Sequence, residues 1–268
     1  MSDGHPQTPR PTEIVCEYVF RPLAHVVVLA LLPLRVPPPL VVAAGAGVGL
    51  GAAAGIGYGN FVLGALLLQL KTVLDNADGQ LARASGRVTA FGRYLDSESD
   101  LLVNAAVFAA LGAVTDEPWL ALAAFLTLTL VLGVNFNLTW LYRRERGTLA
   151  DRAPRAQGAG AVLARVYAIV FAPQDRLVEG FVGWRLRRLG ADGPARLAYH
   201  DRLTVSVLAN FGLSTQLAVL GLCLALGQPT AYLWIVMGCG VALVPLALRR
   251  ERCAGARRRF EARNEQWR

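Results

Sequence analysis

Residues 61–114 read FVLGALLLQLKTVLDNADGQLARASGRVTAFGRYLDSESDLLVNAAVFAALGAV. Two apolar runs meet across a polar centre. The first, roughly Phe61–Arg83, turns polar in its C-terminal half, and the second, roughly Gly92–Val114, is polar in its N-terminal half. A helix needs about 20 residues to cross a bilayer core, so the two runs read as consecutive spans joined by one turn. Asp75 and Asp78 are three apart and Asp96 and Asp100 four apart, so on helices each pair shares a face. Antiparallel packing of the two spans then gathers four carboxylates near one membrane end.

The rest of the chain fits around this pair. It is 54% hydrophobic, with a mean hydropathy of +0.41 and the apolar residues in long runs. That is the composition of a membrane protein with several spans. Besides the two runs above, spans are predicted at about Leu40–Tyr58, Trp119–Tyr142, Leu203–Leu226 and Ala231–Leu248. The first is rich in Gly and Ala, which allows close helix packing in lipid. Glu13–Arg35 has too short an apolar core to span comfortably and reads as an interfacial helix, ended by VPPPL at 36–40. The stretches AVLARVYAIVFAP and FVGWRLRRL, within 143–202, predict amphipathic helices on the cytoplasmic face. The expectation is therefore an all-α integral membrane fold. It has six transmembrane helices, an N-terminal interfacial helix and cytoplasmic amphipathic helices. Residues 1–268 form one domain, with an N-terminal segment 1–38, an Arg-rich connection 143–202 and a basic tail 249–268.

Charge fixes the orientation. The formal net charge is +8, and no Lys or Arg lies between Arg35 and Lys71, Arg93 and Arg143, or Arg202 and Arg249. The links near residues 59, 116 and 228 are thus free of positive charge, while both termini and the remaining links carry it. By the positive-inside rule the chain is a multi-pass cell-membrane protein with its termini and the carboxylate end cytoplasmic. The basic residues fit topology and anionic head groups better than a nucleic-acid partner. Cys16, Cys223, Cys239 and Cys253 form no CxxC pair, which argues against a disulfide framework or zinc site. No removable signal peptide is expected from the polar start.

Four ionised carboxylates in a partly dehydrated site repel one another, and a single Asp at the membrane centre already costs about 2.5–3.5 kcal/mol. Relief comes from protonation, from Arg pairing or from metal. Oxygen-only ligands suit hard ions such as Mg²⁺ or Mn²⁺, and a pair of such ions could bridge the carboxylates and a diphosphate. Gly79 would let a nucleotide approach the backbone, and Arg83 is placed to meet phosphate.

The run fills every fixed place of D-x2-D-G-x2-A-R-x8-G-x3-D-x3-D with Asp75, Asp78, Gly79, Ala82, Arg83, Gly92, Asp96 and Asp100. In this it resembles the CDP-alcohol phosphotransferase family (CDP-alcohol phosphatidyltransferases), whose six spans also match. The motif covers a tenth of the chain. The VPPPL run stands where the family often has a TPN-type sequence. The resemblance implies transfer of a substituted phosphoryl group, phosphatidyl or phosphoalcohol, from a CDP-alcohol to an acceptor alcohol with release of CMP. It places Asp75, Asp78 and Asp96 on two Mg²⁺ or Mn²⁺ ions, with Asp100 close to them. Asp100 would be the general base, and Gly79, Ala82, Arg83 and Gly92 would form the CDP pocket. The donor would be CDP-diacylglycerol or a soluble CDP-alcohol, the setting phospholipid or related phosphodiester synthesis, and the assembly a homodimer.

The alternative is a non-enzymatic ion-binding membrane protein or transporter, although a transporter site usually lies near the midplane. Lys71, one turn before Asp75, could pair with that carboxylate, reach phosphate or snorkel to the interface, of which snorkelling is the commonest. Arg93 reads equally as an acceptor contact or a topology charge, Asn104 as a cross-helix bond, and His200-Asp201-Arg202 as an interfacial cap.

Overall fold

The computed structural model describes residues 11–147 and 171–265, with positions 165 and 168. All regular structure among them is helical. A π-helical turn, Cys16–Phe20, runs into α1 (Arg21–Leu31). Pro37 ends the following link and α2 (Pro38–Gly57) begins on Pro38 and Pro39, where the missing N–H groups are not needed. Then come α3 (Phe61–Ala84), α4 (Ala90–Thr115) and α5 (Pro118–Glu145). Beyond the undescribed part of the connection lie α6 (Ala172–Leu189), α7 (Gly193–Tyr199), α8 (Arg202–Ala209), α9 (Leu213–Ala225) and α10 (Pro229–Glu265).

Five stretches are long and apolar enough to cross a membrane: Pro38–Gly57, Ala90–Thr115, Pro118–Glu145, the broken run Gly193–Ala225, and Pro229–Asn264. The sixth predicted span, α3, is a 24-residue helix but is not among them. It carries Lys71, Asp75, Asp78 and Arg83, which dilute its apolarity. Small residues set its register. A Cβ on Gly45 of α2 would lie 3.1 Å from Asp75 Oδ1, and one on Gly55 3.4 Å from Gly64 N. Rising numbers on α2 thus meet falling numbers on α3, and the two run antiparallel. A Cβ on Gly49 would clash with Val103, and one on Gly57 would touch Ala110, so α4 runs parallel to α2. These close approaches are what the Gly/Ala-rich composition of α2 predicts. A buried core that includes Ile56, Leu68, Val107, Leu111, Leu128, Leu220, Tyr232 and Val236 ties α2–α5, α9 and α10 together.

Two spans differ from their sequence reading. The predicted single helix Leu203–Leu226 is broken at Asn210–Gly212. The N-terminal segment enters this break. The Glu13 carboxylate accepts from Thr215 N and Oγ1, while Asn210 accepts from Ile14 N and donates to Thr12 O. A Cβ on Gly212 would lie 2.7 Å from Glu13 Oε2, so the clasp requires glycine there. The last span does not stop at Leu248 but continues through the basic tail to Glu265, because Arg and Glu favour helix beyond the apolar part.

Of the two amphipathic stretches predicted in 143–202, most of AVLARVYAIVFAP lies outside the described residues. FVGWRLRRL forms the end of α6, which buries Val182 and Leu186 and exposes Leu177, Phe181 and Trp184 among arginines. The segment predicted to be an interfacial helix is helical as α1, which buries Ala24 and Val28 against Ala77 and Leu81 of α3.

Candidate active site

Lys71, Asp75 and Asp78 follow one another at helical spacing on α3, and Asp96 and Asp100 lie in the first half of α4. The Lys71 ammonium donates to the carboxylates of both Asp75 and Asp100 and so joins the two helices. Lys71 is 1% exposed, so the sequence expectation that it snorkels is corrected. A cation held between two carboxylates gains more from them than from the interface. Asp75 and Asp100 keep 19% and 25% of their side-chain surface open. Asp78 is buried, and its Oδ2 has no hydrogen-bond partner. Asp96 is half-buried and close enough to Asp100, Asp78 and Asp75 for each to act on its charge. The structure thus gathers all four predicted aspartates at one end of the α3–α4 pair.

The surrounding side chains explain how that end is held. Thr89 caps α4, its Oγ1 accepting from Gly92 N at 3.0 Å. On the opposite side of α3, Cys16 Sγ donates to Asn76 and Gln80 donates to Arg21 O, so the N-terminal helix braces the segment bearing the aspartates. A Cβ built on Gly79 meets nothing but the Arg83 guanidinium, at 3.4 Å. Arg83 is exposed, so this flank is open to a ligand that the guanidinium could contact. Ala82 and Gly92 are half-buried. Gly45 was missed by sequence reasoning: any side chain there would press on Asp75. Among so many glycines of α2, nothing in the sequence marks it. Lys71 did carry a signal, since it is the only lysine of the chain and stands four residues before Asp75.

The donor chemistry fits a hard divalent cation. All four groups are carboxylates, and the orphaned Asp78 Oδ2 is a buried acceptor that calls for a cation. As placed, however, no three His, Cys, Asp or Glu side chains among the described residues form a ready ion-holding group. The Lys71 ammonium already sits between two of the carboxylates. Asp75 and Asp100 would have to turn from it to ligate a metal.

Other candidates fall elsewhere. Arg93 is exposed, and Asn104 is buried one turn beyond Asp100. Asp201 caps α8 through Thr204 N and Oγ1, as its sequence position suggests. His200, by contrast, is fully buried within the protein, and its Nδ1 lies 3.1 Å from Arg250 Nη2. Asn137 bonds across helices to Asp175 at 2.7 Å.

The family model "CDP-alcohol phosphatidyltransferase" matches residues 26–187. A bifunctional IPC transferase and DIPP synthase of Aquifex aeolicus is 42% identical over 62 residues, 23% of this chain and 14% of that protein. An archaetidylinositol phosphate synthase of Pyrococcus horikoshii is 44% identical over 48 residues, 18% of this chain and 26% of that protein. The chain thus spans about a quarter or less of the length of these relatives, and no solved structure matches it. The family model covers more than half of the chain. The chain belongs to the CDP-alcohol phosphatidyltransferase family.

Proposed function

We propose that the chain transfers a substituted phosphoryl group from a CDP-alcohol to an acceptor alcohol, with divalent metal at the aspartate cluster. The observation that carries this reading is the gathering of Asp75, Asp78, Asp96 and Asp100 on facing helices beside the open flank of Gly79 and Arg83. In the proposed reaction the acceptor oxygen forms a P–O bond to the phosphorus that carries the donor alcohol. The bridging P–O bond of the diphosphate breaks and CMP leaves. Asp100 takes the acceptor's proton: it is partly exposed, and Lys71 holds it in place. Arg83 offers a fork of donors to the diphosphate. Asp75, Asp78 and Asp96 would hold Mg²⁺ or Mn²⁺, which neutralises charge on the diphosphate and leaving group.

The same reading makes α3 the sixth span. With 24 residues it is about 36 Å long, enough for a hydrocarbon core of about 30 Å. It lies antiparallel to α2 while α4 is parallel to α2, and a crossing between two parallel spans accounts for that arrangement. The Arg-rich ends then face the cytoplasm together with the cluster.

The test is release of CMP by the purified full-length protein with Mg²⁺. CDP-diacylglycerol and soluble CDP-alcohols are crossed with a panel of acceptors. Inositol phosphate comes first, because the archaeal relative's name carries it. Release that needs both substrates and disappears in Asp78→Asn supports the reading. Ion-dependent stabilisation with no release from any donor would favour an ion-binding protein instead.

A further inference from the structure

The geometry points to a binding site for a membrane amphiphile with an anionic head, built between α5, α6, α8 and α10 and apart from the aspartate cluster. A cavity of about 260 Å³ lies there. Val134 and Leu138, Val178 and Val182, Leu208, and Leu243 and Leu246 make its wall apolar. The exposed Leu177 and Phe181 of α6 also line it, so it opens along the amphipathic helix. None of its lining residues lies on α3 or α4, the helices that carry the aspartates.

Arg250 is the charged residue of this wall, and no carboxylate among the described residues forms an ion pair with it. It is 3% exposed. Its Nε donates to Tyr199 O at 3.0 Å, its Nη2 meets His200 Nδ1 at 3.1 Å, and its guanidinium stacks 4.2 Å from the Tyr199 ring. All three partners are neutral, and Nη1 has no partner among the described residues. The acids that act on it electrostatically are engaged by its neighbours: Asp201 by Arg249 at 3.2 Å, and Glu251 by Arg185. The adjoining His200 Nε2 is also buried without a partner. A buried cation normally has an anion or a full set of acceptors. An unpaired guanidinium in an apolar wall asks for a molecule that brings an acidic group and hydrocarbon together. The mouth beside Leu177 and Phe181 is where a lipid leaflet would deliver one, because the exposed apolar side chains of α6 are interleaved with Arg176, Arg185, Arg187 and Arg188, the pattern of a helix lying in the head-group layer.

The probe is oleyl phosphate, with oleyl alcohol as the tail alone and inorganic phosphate as the head alone. Thermal protection of the full-length protein is measured in a neutral detergent. Oleyl phosphate should protect, and neither partial probe should do so at the same concentration. Arg250→Met keeps the stem but loses the charge, and should weaken protection at least about tenfold, the loss expected for a charge-assisted hydrogen bond. Ala247→Trp leaves Arg250 in place but fills the cavity, and should abolish protection. Asp78→Asn should leave protection unchanged, which separates this site from the proposed active site. A diazirine-tailed alkyl phosphate supplies a readout on the wild-type protein. Its adducts should fall on peptides containing 134–138, 177–182 or 243–247, and oleyl phosphate, not oleyl alcohol, should compete. Protection by oleyl alcohol equal to that by oleyl phosphate, or adducts confined to other helices, would overturn the proposal. So would protection that survives Ala247→Trp or disappears in Asp78→Asn.

Discussion

Replacing Lys71 by methionine removes the buried ammonium that Asp75 and Asp100 share. Methionine keeps an unbranched chain of similar length, so the packing changes little. Removing one partner of a buried ion pair costs about 3–5 kcal/mol, because the remaining charge stays uncompensated. Here Asp75 and Asp100 retain 19% and 25% of their side-chain surface. Water reaches them in part and the loss should fall toward about 2–3 kcal/mol. For a chain of this size that corresponds to a melting temperature lower by about 4–12 °C. The assay is thermal unfolding of the detergent-solubilised protein, first in EDTA and then across a Mg²⁺ titration, with gel filtration to establish that the variant is monodisperse. In EDTA the full deficit should appear. In saturating Mg²⁺ it should shrink, because a divalent ion among the carboxylates supplies the positive charge that the lysine gave. A variant as stable as the wild type in EDTA would refute the ion-pair argument. A deficit that Mg²⁺ leaves undiminished would show that no divalent ion binds at Asp75 and Asp100.

Three further outcomes are expected. Asp100→Asn should retain Mg²⁺-dependent CDP-alcohol binding while turnover falls by about 10²–10⁴, the contribution of a general base, whereas Asp78→Asn should weaken binding itself. Parallel measurement of binding and CMP release on both variants checks this. In a cysteine-free background, Thr115→Cys should react with an impermeant thiol reagent added outside the cell and Ser85→Cys should not; the reverse pattern would overturn the topology. Burial raises the Glu13 carboxyl above its ordinary value more than its hydrogen bonds from Thr215 lower it. The folded state therefore holds this proton more tightly than the unfolded state, and stability falls as pH rises through the carboxylate range. Glu13→Gln should remove that part of the pH dependence, so its melting temperature relative to wild type should be higher at pH 8 than at pH 4. An equal difference at both values would refute it.

What was legible in the sequence follows from the range of the interactions involved. The helices beginning at Pro38, Phe61, Ala90 and Pro118 could be placed within a few residues, because apolar length and the turn signals between them are local properties. The faces shared by Asp75 with Asp78, and by Asp96 with Asp100, follow from helical spacing alone. The break at Asn210–Gly212 was not legible. It depends on Thr12, Glu13 and Ile14 from the far end of the chain, and leucine-rich sequence on either side reads as continuous. The burial of His200 could not be read either, since it rests on Arg250, fifty residues away.

Lys71 lies between these cases, and it bears on how the cluster tolerates its own charge. The sequence leaves protonation, Arg pairing or metal as ways to relieve four carboxylates. The structure adds a lysine from the same helix as Asp75. Lys71 gives the cluster a cation of its own, held between Asp75 and Asp100. The choice of lysine over arginine has a physical consequence in a chain with 26 other basic residues, all arginine. A guanidinium fork would hold two carboxylates in a fixed planar geometry. An ammonium on a flexible four-carbon stem imposes no such plane and can yield its place to an incoming ion. The lysine thus suits the proposed role of the cluster, which would have to be stable when empty and still admit an ion.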